Sequence, residues 1–377
     1  MRARELGIRI GRMEPGELNA ITDVSGVRVG HATLISGEGS LRRGKGPVRT
    51  GVTVVIPHDG DVWTEPVFAG AHRLNGNGEL TGLEWVRESG MLAGAIGITN
   101  THSVGVVHDA LIGEAAASRR PNDAFWSLPV VGETYDGALN DINGFHVRGE
   151  HVRTALASAH GGAVEEGNVG GGTGMICHEF KGGIGTASRR AGGWIVGVLV
   201  QANYGTRELL RIDGVPVGAA IGRKEVPSPW DQAEAVAASG SRSGPEGGSI
   251  IGIVATDAPL LPHQCARLAQ RVGMGVARMG SYASHGSGDL FLAFATGNRG
   301  LSWRAGEDDP RSVVDLHMVV DEGINPLLEA TVEATEEAIV NALLAAETMV
   351  GRDGITAHAL DHDRLAEVMH AHGRSVA

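Results

Sequence analysis

Gly248-Ser249 joins a Pro/Gly/Ser-rich run, SGSRSGPEGG (239–248), to an apolar run, Ile250-Ile251-Gly252-Ile253-Val254-Ala255-Thr256. A serine hydroxyl is a poor nucleophile until a base takes its proton. One compact base is the serine's own α-amine, freed when the preceding peptide bond is cut. Such an amine titrates near about 7.7–8.0 when unperturbed, so a usable fraction is neutral near pH 7. Before the cut, the same hydroxyl can attack the Gly248 carbonyl. That N→O acyl shift gives an ester, which water hydrolyses. Glycine suits position 248, because the attack needs a bent backbone that a Cβ would crowd. A buried strand after Ser249 would hold the new terminus rigidly. The pair also makes an ordinary turn before a strand, and taken alone it leaves both readings open.

Other polar groups stand at the ends of apolar runs. Ser284-His285-Gly286-Ser287-Gly288-Asp289 precedes Leu290-Phe291-Leu292-Ala293-Phe294-Ala295. Ser287 and Asp289 there supply a hydroxyl and a carboxylate. Asn203 follows Trp194–Val200 and carries an amide suited to an oxyanion hole. Glu133 and Tyr135 follow Leu128-Pro129-Val130-Val131. Each of these residues also serves well as a turn or cap. Other chemistries find less support. The glycine cluster at 167–174 lacks the Lys-Ser/Thr of a phosphate loop and reads as a tight structural turn. His-Glu-x-x-His is absent, and His358 and His362 lack a third obvious ligand, so neither metal nor cofactor is expected. The G-x-S-x-G elbow is missing too.

The elements that must position these groups follow from the apolar patterning. Runs such as Gly51–Pro57, Ala93–Ile98 and Trp194–Val200 suit strands covered on both faces. Leu261, Cys265, Leu268, Val272, Val276 and Met279 keep helical spacing. Asn325-Pro326 predicts a helix start, cap then first-turn proline, with Leu328, Val332, Ile339 and Leu343 on one stripe. A last short helix is expected from near Asp361, with Leu365 and Met369 inward. Sheets inside and helices outside is the simplest arrangement. Glycine, 58 of 377 residues, is about twice its usual share of roughly 7% and points to close backbone packing. The net charge of −12 argues against a nucleic-acid partner. Two cysteines make no disulfide framework. The chain shows neither a secretory h-region nor an apolar run of about 18 residues, so no membrane span and a cytoplasmic setting are expected.

The chain resembles the L-aminopeptidase D-esterase family, which includes the β-peptidyl aminopeptidases. The matching stretches are DVSGVRVGH (23–31), NTHSVG (100–105), GETYDGALNDINGFH (132–146), EGNVGGGTGM (166–175), KGGIGTASR (181–189), VQANYG (200–205), GGSIIGIVATDAPLLPHQ (247–264), SHGSGDLFLAF (284–294) and EATEEAIVNALLAAETMVGRDG (333–354). They span nearly the whole chain. The resemblance implies one α/β domain, residues 1–377. Its fold would be a four-layer αββα sandwich like that of the N-terminal-nucleophile hydrolases, with a different connectivity. It implies self-cleavage between Gly248 and Ser249 into chains 1–248 and 249–377 that stay associated. Ser249 would be the nucleophile and its α-amine the base. Ser287 and Asp289 would orient that terminus, and Asn203 would stabilise the oxyanion. Glu133 and Tyr135 would line the substrate site, Glu133 pairing with the substrate's ammonium group. Some relatives carry Glu where this chain has Asp289. Short peptides, amides or esters are the implied substrates, and a homotetramer of processed protomers the implied assembly.

Two other readings compete. The related fold of the ornithine acetyltransferases also cleaves itself and transfers acyl groups, but from threonine. A glycine-rich binding protein with an uncut Gly248-Ser249 loop would instead remain one chain of about 39 kDa.

Overall fold

The computed structural model describes residues 1–237, 248–302 and 312–374. The run 239–248, expected as a loop or break, lies outside the described residues except for Gly248. In chain order the strands of the described residues are β1 (Arg28–Ser36), β2 (Val48–Ile56), β3 (Val67–Arg73), β4 (Met91–Leu92), β5 (Ile96–Asn100), β6 (Val130–Thr134), β7 (Ile176–Cys177), β8 (Phe180–Lys181), β9 (Gly183–Ala191), β10 (Trp194–Asn203), β11 (Ser249–Thr256), β12 (Gly288–Ala295), β13 (Met349–Val350) and β14 (Thr356–Ala357). The helices are α1 (Leu83–Ser89), α2 (Val104–Ala117), α3 (Gly149–Ser158), α4 (Val217–Ala220), α5 (Pro229–Ala237), α6 (Pro262–Arg278), α7 (Asn325–Ala345) and α8 (His362–Ala371).

Two sheets form the centre. One has the order β1-β2-β5-β6 and the other β4-β3-β12-β11-β10-β9. Val29, Val55, Ile96, Ile98 and Val130 of the first pack against Leu199, Ile251, Ile253, Leu292 and Phe294 of the second. The outer face of the smaller sheet is covered by Val107 and Leu111 of α2 and Val152 and Ala155 of α3. The outer face of the larger one is covered by Leu268 and Val272 of α6 and Ala338 and Ala342 of α7. The result is the four-layer αββα sandwich. Burial on both faces explains why the central strands read as continuous apolar runs. Gly185 and Gly70 let the helices lie close: a Cβ at Gly185 would meet the Ala338 carbonyl at 1.9 Å, and one at Gly70 the Ala266 nitrogen at 2.4 Å.

The local expectations fare well, with small shifts. Leu261 caps α6, and Cys265 is fully buried and unpaired. Asp361 caps α8, its side chain accepting from the Arg364 N–H, with Leu365 and Met369 buried. Asn325 is not the cap of α7. It already has helical dihedrals, the cap is Ile324, and the proline sits one position further in. A preceding 3-10 turn, Asp321–Ile324, feeds directly into the helix and displaces the expected start. Leu128 lies outside β6 and is half exposed; the strand begins at Val130. The glycine cluster forms a buried 3-10 turn at Gly170–Gly172. His358 and His362 serve local structure: the His358 carbonyl accepts from the Lys181 N–H, and the His362 ring bonds the Leu344 carbonyl.

Candidate active site

Register brings the site together. Ser249 opens β11 opposite Asn203, the last residue of antiparallel β10. On its other side it is opposite Gly288, the first residue of parallel β12. Ser287 and Asp289 flank that glycine. Four residues from three separate segments thus meet at one end of the larger sheet. All are buried: Ser249 is 7% exposed and Asp289 1%.

The Gly288 N–H faces two oxygens. It lies 3.2 Å from Ser249 Oγ and 3.3 Å from the Gly248 carbonyl oxygen. The hydroxyl and the carbonyl it would attack therefore share one backbone donor. Both glycines are held by close approach. A Cβ on Gly248 would come within 2.1 Å of the Asn203 carbonyl oxygen, and one on Gly288 within 2.3 Å of the Asn77 carbonyl oxygen.

Ser287 Oγ donates to Asp289 Oδ1 at 2.6 Å, and Asn75 Nδ2 donates to Asp289 Oδ2 at 3.1 Å. Burial raises the Asp289 carboxyl above its ordinary range. The Ser287 and Asn75 bonds and the Ile250 N–H work against that shift by favouring the ionised form. Ser287, in donating its proton to Asp289, keeps its oxygen lone pairs for another donor.

The Asn203 side chain is fixed at both ends. Its Oδ1 accepts from the Ile176 N–H at 2.8 Å, and its Nδ2 donates to the Tyr135 carbonyl at 3.0 Å. An amide nitrogen carries two hydrogens, so one remains for an oxyanion. Tyr135 therefore contributes its main chain to the site. Its ring folds over Gly137, where a Cβ would stand 2.4 Å from the hydroxyl.

Glu133, in β6 of the smaller sheet, is buried and approaches from the other layer. Its carboxylate accepts from the Thr101 hydroxyl and from the Glu79 N–H, the latter at 3.0 Å. Burial raises its pKa, and those hydrogen bonds oppose the rise. Gly78 lies between it and the Ser249 end of the larger sheet: a Cβ there would be 2.9 Å from Glu133 Oε1 and 3.3 Å from Gly288 Cα. A cation next to Glu133 would offset the cost of burying its charge.

A cavity of about 770 Å³ is lined by Gly248, Asn203 and Ser287, and also by Ile176, Glu179 and Trp230. Glu133 and Tyr135 do not line it. A second cavity, about 460 Å³, runs past Gly78, Glu79 and Leu290. Among the described residues no cluster of His, Cys, Asp and Glu could hold a metal ion.

Sequence reasoning gave no role to Asn75, Thr101, Gly288 and Lys181. Thr101 and Lys181 sit in NTHSVG and KGGIGTASR, stretches noted only for their resemblance, and Gly288 lies between Ser287 and Asp289, which were singled out for their side chains. Asn75 carried no signal, because its contact with Asp289 spans 214 positions.

The peptidase family S58 model matches residues 19–357. A β-peptidyl aminopeptidase, BapA, from Sphingosinicella microcystinivorans is 48% identical over 380 residues, covering 100% of this chain and 93% of the relative. A β-aminopeptidase from Burkholderia sp. superposes with a TM-score of 0.89 at 51% identity, covering all of both chains. The L-aminopeptidase D-Ala-esterase/amidase from Ochrobactrum anthropi, described as a prototype serine aminopeptidase and an Ntn-hydrolase-fold variant, gives 0.87 at 44% identity. That match covers 99% of each chain. With this geometry and these likenesses, the chain belongs to peptidase family S58 and is a serine aminopeptidase on an Ntn-hydrolase fold.

Proposed function

We propose that the chain cuts itself between Gly248 and Ser249, and that the freed Ser249 then removes N-terminal residues from short peptides, amides and esters. The observation that carries this reading is the Gly288 N–H placed between Ser249 Oγ and the Gly248 carbonyl. In the first step, Oγ bonds to the Gly248 carbonyl carbon while charge develops on the carbonyl oxygen, toward that donor. The C–N bond breaks, the hydroxyl proton ends on the nitrogen, and the ester formed is hydrolysed by water. The product is a serine with a free α-amine at the head of β11.

In turnover the α-amine takes the hydroxyl proton as Oγ attacks the substrate carbonyl carbon. It passes the proton to the departing amine or alcohol, then activates the water that hydrolyses the acyl-enzyme. Ser287, polarised by Asp289, accepts a hydrogen bond from the amine and fixes its direction. Asn203 Nδ2 offers its second hydrogen to the oxyanion. Glu133 pairs with the substrate's ammonium, which is how a free N-terminus is distinguished from a blocked one. The relatives' substrates support β-peptides and D-amino-acid esters or amides as candidates beside L-peptides. Assembly of processed protomers as a tetramer belongs to the same proposal. So does a cytoplasmic setting, which two buried unpaired cysteines favour.

Intact mass under denaturing conditions, on wild type and Ser249→Ala side by side, tests the reading. Two wild-type chains ending at Gly248 and starting at Ser249 are expected, with one intact chain in the variant. Turnover of an amino-acid p-nitroanilide should fall by roughly a millionfold in the variant, as for other lost serine nucleophiles. An uncut wild type that still hydrolyses the anilide would refute the α-amine as base.

A further inference from the structure

Lys181 is fully buried, in β8, and its hydrogen-bond partners are carbonyl groups. Nζ donates to Gly182 O at 2.8 Å, Met175 O at 2.9 Å and Gly172 O at 3.4 Å. Burial pushes the Lys181 pKa down to about 7; its ammonium form, answered among the described residues by carbonyl dipoles, is costly. A fold that needed no more than a tie for the 170–175 turn would be served by a neutral donor. The cost therefore calls for a use of the charge.

The use lies one peptide group away. The Met175 carbonyl accepts from Lys181 Nζ and also from the Gly182 N–H at 2.9 Å. The N–H of that same peptide unit belongs to Ile176, and it donates to Asn203 Oδ1 at 2.8 Å. A cation on the carbonyl oxygen draws electron density from the peptide and strengthens its N–H as a donor. A strong donor on Oδ1 does the same to the Asn203 amide, so its Nδ2 hydrogens become better donors. Chains of hydrogen bonds polarise one another in this way where the local dielectric is low.

We propose that Lys181 is a positioning residue of the oxyanion site, its charge relayed through the Met175–Ile176 peptide to the amide of Asn203. The proposal rests on the reading of Asn203 as the oxyanion donor. Lys181 touches neither nucleophile nor substrate, so its effect is expected in kcat and not in KM. It should also vanish once Asn203 is gone.

A double-mutant cycle tests this, with Lys181→Met and Asn203→Ala singly and together. The substrate is alanine p-nitroanilide, and rates are normalised to the cleaved fraction found by intact mass. Lys181→Met alone should lower kcat about tenfold, less than the roughly 100- to 1,000-fold expected for loss of an oxyanion donor, with KM within about twofold. In the Asn203→Ala background it should cost nothing more. Equal losses in both backgrounds, or a rise in KM at constant kcat, overturn the Lys181 proposal and leave the Asn203 reading standing. A kcat untouched by Asn203→Ala overturns the Asn203 reading and the proposal with it. If Lys181→Met does not fold, Lys181→Arg and Lys181→Gln replace it. Arginine keeps the charge and glutamine only a donor, so arginine must retain the larger kcat. Equal or better activity with glutamine overturns the proposal.

Discussion

The strands β10, β11 and β12 end twice, and the two ends use similar residues differently. At the far end, Thr256 Oγ1 donates to the Ile195 carbonyl at 2.7 Å, and Asp257 Oδ1 accepts from the Ile195 N–H at 2.7 Å. The Thr296 N–H bonds the Thr256 carbonyl at 2.8 Å. A hydroxyl and a carboxylate there bind the main chain of the neighbouring strand and finish the ladder. At the site end, the Ser287 hydroxyl and Asp289 carboxylate bind each other. The Asn203 amide reaches across to the Tyr135 carbonyl, and a cavity opens alongside. Residue type therefore does not separate a cap from a candidate catalytic group. What separates them is whether the hydrogen-bonding capacity is spent on the neighbouring strand or left over: Ser287 keeps its lone pairs and Asn203 one amide hydrogen.

Four measurements press on that contrast. The largest effect should come from Asn203→Ala, which should lower kcat by roughly 100- to 1,000-fold while the αββα core stays folded. A fall that appears only in KM would make Asn203 a substrate-binding group. Next is Glu133→Gln, expected to raise KM for substrates with a free amine by roughly 10- to 100-fold, the range of a hydrogen bond to a charged group. An unchanged KM would separate Glu133 from the substrate's ammonium. Thr256→Val, at the far end, should cost only about 1–2 kcal/mol of stability and leave kcat alone. Chemical denaturation and steady-state rates together check it, and a lost kcat would break the division between the ends.

The smallest effect concerns pH. Burial drives His178, beside the site, down to about 4, whereas it raises Asp257 at the far end. Below about 6.5 the unfolded chain protonates His178 and the folded chain does not, so this histidine's contribution to stability is lost as pH falls toward 4. Asp257 has the opposite sign: the folded state holds its proton more tightly, so its contribution grows as pH falls through the carboxylate range. Unfolding curves of His178→Asn and Asp257→Asn, each made in the uncut Ser249→Ala chain, should therefore diverge from that parent in opposite directions with pH. Parallel curves would show that the two ends titrate alike.

Much of this was legible before any coordinates. The uninterrupted apolar runs announced strands covered on both faces, and the helical stripes of α6, α7 and α8 fell where their spacing put them. Ser249, Asn203, Ser287, Asp289 and Glu133 stood out as polar groups at strand ends. Their supports did not. Thr101 reaches Glu133 from another strand end, Asn75 reaches Asp289 from a loop, and Lys181 reaches Asn203 through a peptide group. None of these pairs has a periodicity, because periodicity reports a residue's own element and not what that element meets. Tyr135 is the instructive partial case: its place at the site was visible, but its main chain and not its ring holds Asn203.

By itself the sequence determined that β2, β5, β6, β10, β11 and β12 are strands and α6 to α8 helices, and which residues bring a hydroxyl, an amide or a carboxylate. Hydrophobic period and side-chain chemistry are properties of short stretches. Only the tertiary structure decided that Ser249 lies opposite both Asn203 and Gly288. That is a matter of register between strands far apart in the chain. A slip of one residue would turn every side chain of β11 to the opposite face, and the packing of two sheets and four helices is what forbids it.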